Sequence, residues 1–203
     1  MTEFTKAAVQ KALTPYHSLI RRIVDEAWAE YRQIVAMRSG ATMAPLLYSR
    51  TAANYVFDAI ARRAIPAFGD EAGARLKIEA QTFKVLLGGV VLRFKKGGED
   101  KLGSNIPTFA ALAFTDPDKG LPGFSEHCPK VEVIWRPNDI DTALDAVLIV
   151  ARDGDRLLWE YEIHAPPSTE ILPMPMTPRD PSDESAADLV KPKRNPAAAN
   201  EKQ

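Results

Sequence analysis

The stretch FKVLLGGVVLRFK, residues 83–95, decides the fold of this chain. Two β-rich runs flank Gly88-Gly89, and the tight turns that close two-residue hairpins need positive φ, which glycine adopts at little cost. With that turn, Leu87 faces Val90, Val85 faces Leu92 and Phe83 faces Phe94, which makes one apolar face. The opposite face sets Lys84 against Arg93 and Thr82 against Lys95. Like charges opposed on a strand pair are unfavourable unless an anion compensates. Lys96 and Lys101 extend the basic patch into the next loop. Two sources of the anion stay open. It is external, a phosphate or an acidic partner surface, or it is internal, with Glu132, Glu160 and Glu162 of later strands forming cross-strand ion pairs.

Upstream of the hairpin the period is helical. A short helix is predicted over Phe4–Leu13, stopped by Pro15, and a longer one from about Tyr16 to Met37, with Ile20, Ile23, Ala27, Tyr31 and Ile34 at three- and four-residue spacing. A third starts near Pro45, carries the stripe Tyr48, Ala52, Val56 and Ile60, and closes at Pro66 and Gly69. Leu76, Ile78 and Ala80 then alternate with polar residues as in a half-buried strand. Downstream, Pro107 to Phe114 reads as a short helix. Val131–Trp135, Ala146–Arg152 and Arg156–Ile163 read as strands, the last two joined by a hairpin turn at Asp153-Gly154. Trp159 is predicted to be a core anchor on the closing strand.

After Ala165 the character changes. Eight of the chain's sixteen prolines lie there and no apolar periodicity survives. Such a segment cannot bury enough surface to offset its ordering entropy. The chain therefore reads as one α+β domain over residues 1–165, helical to about residue 70 and sheet over about 74–164, followed by a disordered proline-rich tail over 166–203. The helices are expected to pack on an antiparallel sheet of about five strands.

A net charge of −1 gives no global field to recruit nucleic acid or an anionic membrane. One cysteine, Cys128, excludes an intramolecular disulfide and fits a reducing compartment. With no secretory signal and no stretch approaching the ~18 apolar residues of a membrane span, the cytoplasm is the expected location.

Motifs for chemistry are sparse. His17, His127 and His164 lie in separate segments, and adjacent His127-Cys128 lacks zinc-ligand spacing. Gly88-Gly89 and Gly97-Gly98 bracket a strand instead of opening a helix, so no phosphate loop is read. Glu79, Lys84 and Asp70 loosely match a metal-dependent nuclease, although solvated strand faces explain them better. No catalytic residue, metal or cofactor is assigned, and the oligomeric state is not legible.

Leu92-Arg93-Phe94-Lys95-Lys96 followed by Ser104-Asn105-Ile106-Pro107-Thr108, with Leu121-Pro122-Gly123 and the closing strand with Trp159, resembles an uncharacterised family of small bacterial proteins. The likeness covers about residues 45–163. It implies a setting in toxin–antitoxin-like loci, beside Xre-type repressors and zinc metallopeptidases, and supplies no catalytic motif. The chain departs from the family where Phe109-Ala110 replaces a glutamine pair and where Ile134-Trp135-Arg136 replaces a glycine-tyrosine-arginine step.

The expected function is thus a non-enzymatic binding or regulatory protein of a bacterial toxin–antitoxin, defence or stress locus, acting through a protein partner. Lys84, Arg93, Lys95, Lys96, Lys101, Asn105 and Arg136 are its candidate binding residues. The alternative is nucleic-acid binding through the basic hairpin, with a metal-dependent nuclease third.

Overall fold

Apolar residues in the N-terminal third recur every three or four positions, and the backbone follows them into helices. The computed structural model of the protein describes residues 4–41, 43–44, 48–103, 106–125 and 127–165. Helix α1 spans Lys6–Leu13, and the Thr5 hydroxyl accepts from the Ala8 N–H at its start. Pro15 does not end the helical course. It occupies the first turn of a short 3-10 segment, Thr14–Tyr16, that leads directly into α2, His17–Gly40. Helix α3 spans Ser49–Gly69 and holds Pro66 inside its last turns, where the missing N–H removes a single hydrogen bond. Pro45 lies outside the described residues, and the helix expected to begin there begins at Ser49.

One carboxylate ties α2 to α3. Glu30 accepts from the Tyr55 hydroxyl at 2.6 Å, from Arg62 at 2.6 Å and from Arg63 at 2.7 Å. These hydrogen bonds, Tyr55's foremost, hold the Glu30 carboxyl down from an ordinary 4.5 to about 2.

The sheet has six strands in chain order: β1 Arg75–Glu79, β2 Thr82–Leu87, β3 Val90–Lys96, β4 Lys130–Pro137, β5 Leu144–Asp153 and β6 Arg156–Glu162. Leu87 pairs with Val90 and Val85 with Leu92, the register set by Gly88 and Gly89 at φ 54° and 82°. The count is one more than expected, and the sheet is not wholly antiparallel, because β3 and β4 run parallel. Parallel neighbours need a crossover. Residues 97–129 supply it and carry α4, Phe109–Thr115, over the sheet. In the last hairpin Asp153 pairs with Arg156, so the turn residues are Gly154 and Asp155.

The two sheet faces differ. Helices α1–α3 cover one with Phe83, Val85, Leu92, Phe94, Val133, Trp135 and Ile149, and Phe83 and Phe94 stack at 5.4 Å. On the other face α4 and its loops pack Phe114, Leu121 and Phe124 against Val91, while Leu102 covers Ile134, Leu148 and Val150. Two sequence expectations change at the sheet edges. Ile78 on β1 is 63% exposed, and Trp159 on β6 is only half-buried, leaving Tyr161 and Trp135 as deeper aromatics. Edge strands have neighbours on one side only, so strand alternation overstates their burial. Residues Met1–Pro167 form one compact unit. The disordered tail expected over 166–203 lies outside the described residues.

A Cβ on Gly88 would lie 2.6 Å from the Ala12 carbonyl oxygen of α1, whereas one on Gly89 meets open space. Both alanine variants incur the left-handed penalty of about 1–2 kcal/mol. Gly88→Ala is expected to lose about 1–3 kcal/mol more by overpacking, and equal urea midpoints for the two would refute the packing of α1 on the turn. Glu30 contributes stability above its ordinary pKa that fades as pH falls from about 4.5 toward 2. The difference in unfolding free energy between wild type and Glu30→Gln should therefore shrink between about pH 6 and pH 2.5.

Candidate functional site

Every second residue of a strand faces the same way, and on the α4 face this brings charges into line. Lys77 pairs with Lys84, Arg93 with Glu132, Glu132 with Val150 and Val150 with Glu160. One step past the Val85–Leu92 pair, Lys84 and Arg93 join these into a single row across all six strands. Its basic half lies on β1–β3 and its acidic half on β4 and β6.

Glu132 is the centre of the row and 0% exposed. Oε1 accepts from Arg93 Nε at 2.9 Å and Nη2 at 2.5 Å. Oε2 accepts from the Gly103 N–H at 3.2 Å and from Arg152 Nη1 at 3.4 Å. Arg152 also donates to the Gly103 and Gly154 carbonyls and to Asp155. The Arg93 guanidinium lies 4.1 Å from the centre of the Phe114 ring, under α4. Burial pushes the Arg93 pKa down and the Glu132 charge opposes that. The two guanidiniums and the backbone N–H thus satisfy both carboxylate oxygens, which a charge in a dry interior needs.

The other cations predicted as binding residues divide among separate partners. Lys84 is buried and donates to Glu79 at 2.5 Å. Burial would raise the Glu79 carboxyl, but Lys84 and Lys77 outweigh it and hold it below its ordinary value. Lys101 donates to Glu160 on β6. Lys96 points to the helix side and lies 3.5 Å from Asp141. Arg136 pairs with Asp145 at 2.5 Å. Lys95 is half-buried and makes no hydrogen bond or ion pair among the described residues. Burial, then the neighbouring Arg93 charge, depresses its pKa. Asn105 lies outside the described residues. The patch is therefore not one open surface: its strongest cations are met from within, by Glu79, Glu132 and Glu160.

The signal that sequence reading missed is apolar and exposed. Helix α4 turns Ala113 and Phe114 toward the sheet and leaves Phe109 90% and Leu112 52% exposed, with Ile106 before it at 82%. The spacing 106, 109, 112 places one large apolar residue every three positions, a pattern visible in the sequence, where Pro107 to Phe114 reads only as a short helix with no face assigned to it. Beside Phe109 a cleft of about 370 Å³ opens between α4 and the β1–β2 hairpin.

Among the described residues no group of three or more His, Cys, Asp and Glu side chains is placed to hold a metal ion. Nor is any described helix long and apolar enough to cross a membrane. His17 reaches Tyr161 at 3.1 Å, and His164 lies 3.5 Å from Glu162, so neither joins Cys128. No family model, curated protein or solved structure matches the chain.

Removing one partner of a buried, hydrogen-bonded charge set leaves the others uncompensated. Glu132→Ala is expected to lower stability by about 3–5 kcal/mol. Burial shields the set from salt, so the loss should be nearly the same at about 0.1 M and 1 M NaCl in urea melts. A loss below about 1 kcal/mol, the range of surface pairs, would show that the set is solvated.

Proposed function

We propose that this chain is a non-enzymatic binding or regulatory protein that works through protein–protein contact, in the bacterial toxin–antitoxin, defence or stress setting that its resemblance implies. One observation carries the contact: Ile106, Phe109 and Leu112 stand open to water on α4 and the turn before it. Contiguous exposed apolar residues mark interaction sites more often than isolated ones do, and aromatic side chains frequently dominate binding energy.

The magnitudes set the kind of contact. Burying each of the three side chains yields about 1.5–3 kcal/mol. Association costs about 4–15 kcal/mol in lost freedom. The three alone give a weak complex, so the partner must also engage the polar surroundings of α4. Nucleic-acid binding finds less support, since Lys84, Arg93 and Lys101 turn their charge onto carboxylates of the same molecule.

The test is affinity purification from the native source with wild type and a Phe109→Asp, Leu112→Asp double variant. Both positions are exposed, so folding should hold within about 0.5 kcal/mol for each. A protein retained by wild type and lost by the variant is the expected result. Identical protein partners for both would remove α4 as the contact. Salt-sensitive retention of DNA or RNA at about 50 mM NaCl would instead favour the nucleic-acid reading.

A further inference from the structure

We infer that the cleft beside α4 receives an acidic peptide segment of the partner, one that carries a carboxylate next to a large apolar side chain. The inference rests on the protein-contact reading above and names the chemistry of the partner. Its first support is the charge of the cleft. Lys77 and Lys84 form the floor and share one carboxylate, Glu79, at 3.2 and 2.5 Å. Lys119 lines the wall, and its ammonium makes no hydrogen bond or ion pair among the described residues. Three ammoniums therefore face one carboxylate. Asp116 and Asp118 lie beyond the end of α4 and do not line the cleft.

A second support is the apolar rim. Phe109 and Pro122 also line the cleft, and Leu112 continues the exposed face of Phe109 one helical turn on. An apolar side chain laid on Phe109 brings a neighbouring carboxylate within reach of Lys119. A strand of nucleic acid fits worse. Phosphates recur along a line and need open cations spread along it, whereas Lys84 is almost fully covered and shares the Glu79 carboxylate with Lys77.

The cleft is also held in shape before anything enters it. Lys77 donates to the Pro122 carbonyl at 2.8 Å, which fastens the far wall to β1. Lys130 donates to the carbonyls of Ala113 at 3.0 Å and Lys119 at 2.6 Å, and to that of Asp116, pinning the end of α4 to β4. A preformed site loses little to ordering when a flexible segment binds.

Selection of a random twelve-residue peptide library on the intact protein tests this. Selected peptides are then measured by fluorescence polarisation at low and high salt. Enrichment of sequences with Asp or Glu beside Phe, Leu, Met or Trp is expected. Their binding should weaken at least tenfold in Phe109→Ala and in Lys119→Glu, persist in Lys119→Arg, and fall with salt. Enrichment of basic or neutral peptides would overturn the inference, as would no enrichment. If acidic peptides bind Lys119→Glu as tightly as wild type, the cleft charge plays no part and the inference falls. Weakening by Phe109→Ala alone would leave the protein-contact reading standing without it.

Discussion

The arrangement of this molecule depends on one buried carboxylate. Glu132 lies wholly inside, between a sheet and the loops that cross it, and both its oxygens are engaged by Arg93, Arg152 and the Gly103 N–H. Replacing such a set with apolar residues of equal volume often leaves stability unchanged or higher. What the charge set secures is register. Glu132 alternates along β4 with Val131 and Val133, which face the helical core. A one-residue slip of β4 would turn the carboxylate into that core and away from both arginines. The parallel pairing of β3 and β4 is thereby specified in a region where apolar matching alone tolerates error.

The same interaction explains how the crossover lies down. Gly103 approaches so closely that a Cβ there would come 2.6 Å from the Lys95 Cβ, and only glycine lets its N–H reach Glu132. Just before it Leu102 drops onto Ile134, Leu148 and Val150, and Lys101 reaches Glu160 on the far strand. In α4, farther along the crossover, Phe114 covers the Arg93 guanidinium. Polar contacts at the middle of this face are flanked by apolar clusters on either side. The crossover is fixed along most of its length, and α4 is presented in a set orientation.

That presentation accounts for the functional reading. The basic hairpin is largely consumed in building the protein, which leaves a short helix with outward apolar side chains and a cleft with excess positive charge. The α4 helix is too short to be stable alone. Its hold comes from Phe114 beneath, the Thr108 side chain that accepts from Ala111 N–H, and Lys130 at its end. A rigid mount for exposed apolar residues is what a recognition surface requires.

The sequence by itself determined the helices, the Gly88-Gly89 hairpin, the pairing of Val85 with Leu92 and the apolar face of each central strand. Those features follow from periods of 3.6 and 2 and from turn chemistry, all encoded within a dozen residues. It also named Glu132 and Glu160 among the internal counter-ions without choosing them over an external anion. Tertiary structure made that choice, because Arg93 and Glu132 stand 39 positions apart and meet only when β4 docks parallel to β3. It likewise decided that Phe109 faces water while Phe114 faces the sheet. Local periodicity states that a residue is apolar, but which apolar side is covered depends on the chain that crosses it, and a charge finds its partner only through strands brought together from far apart in sequence.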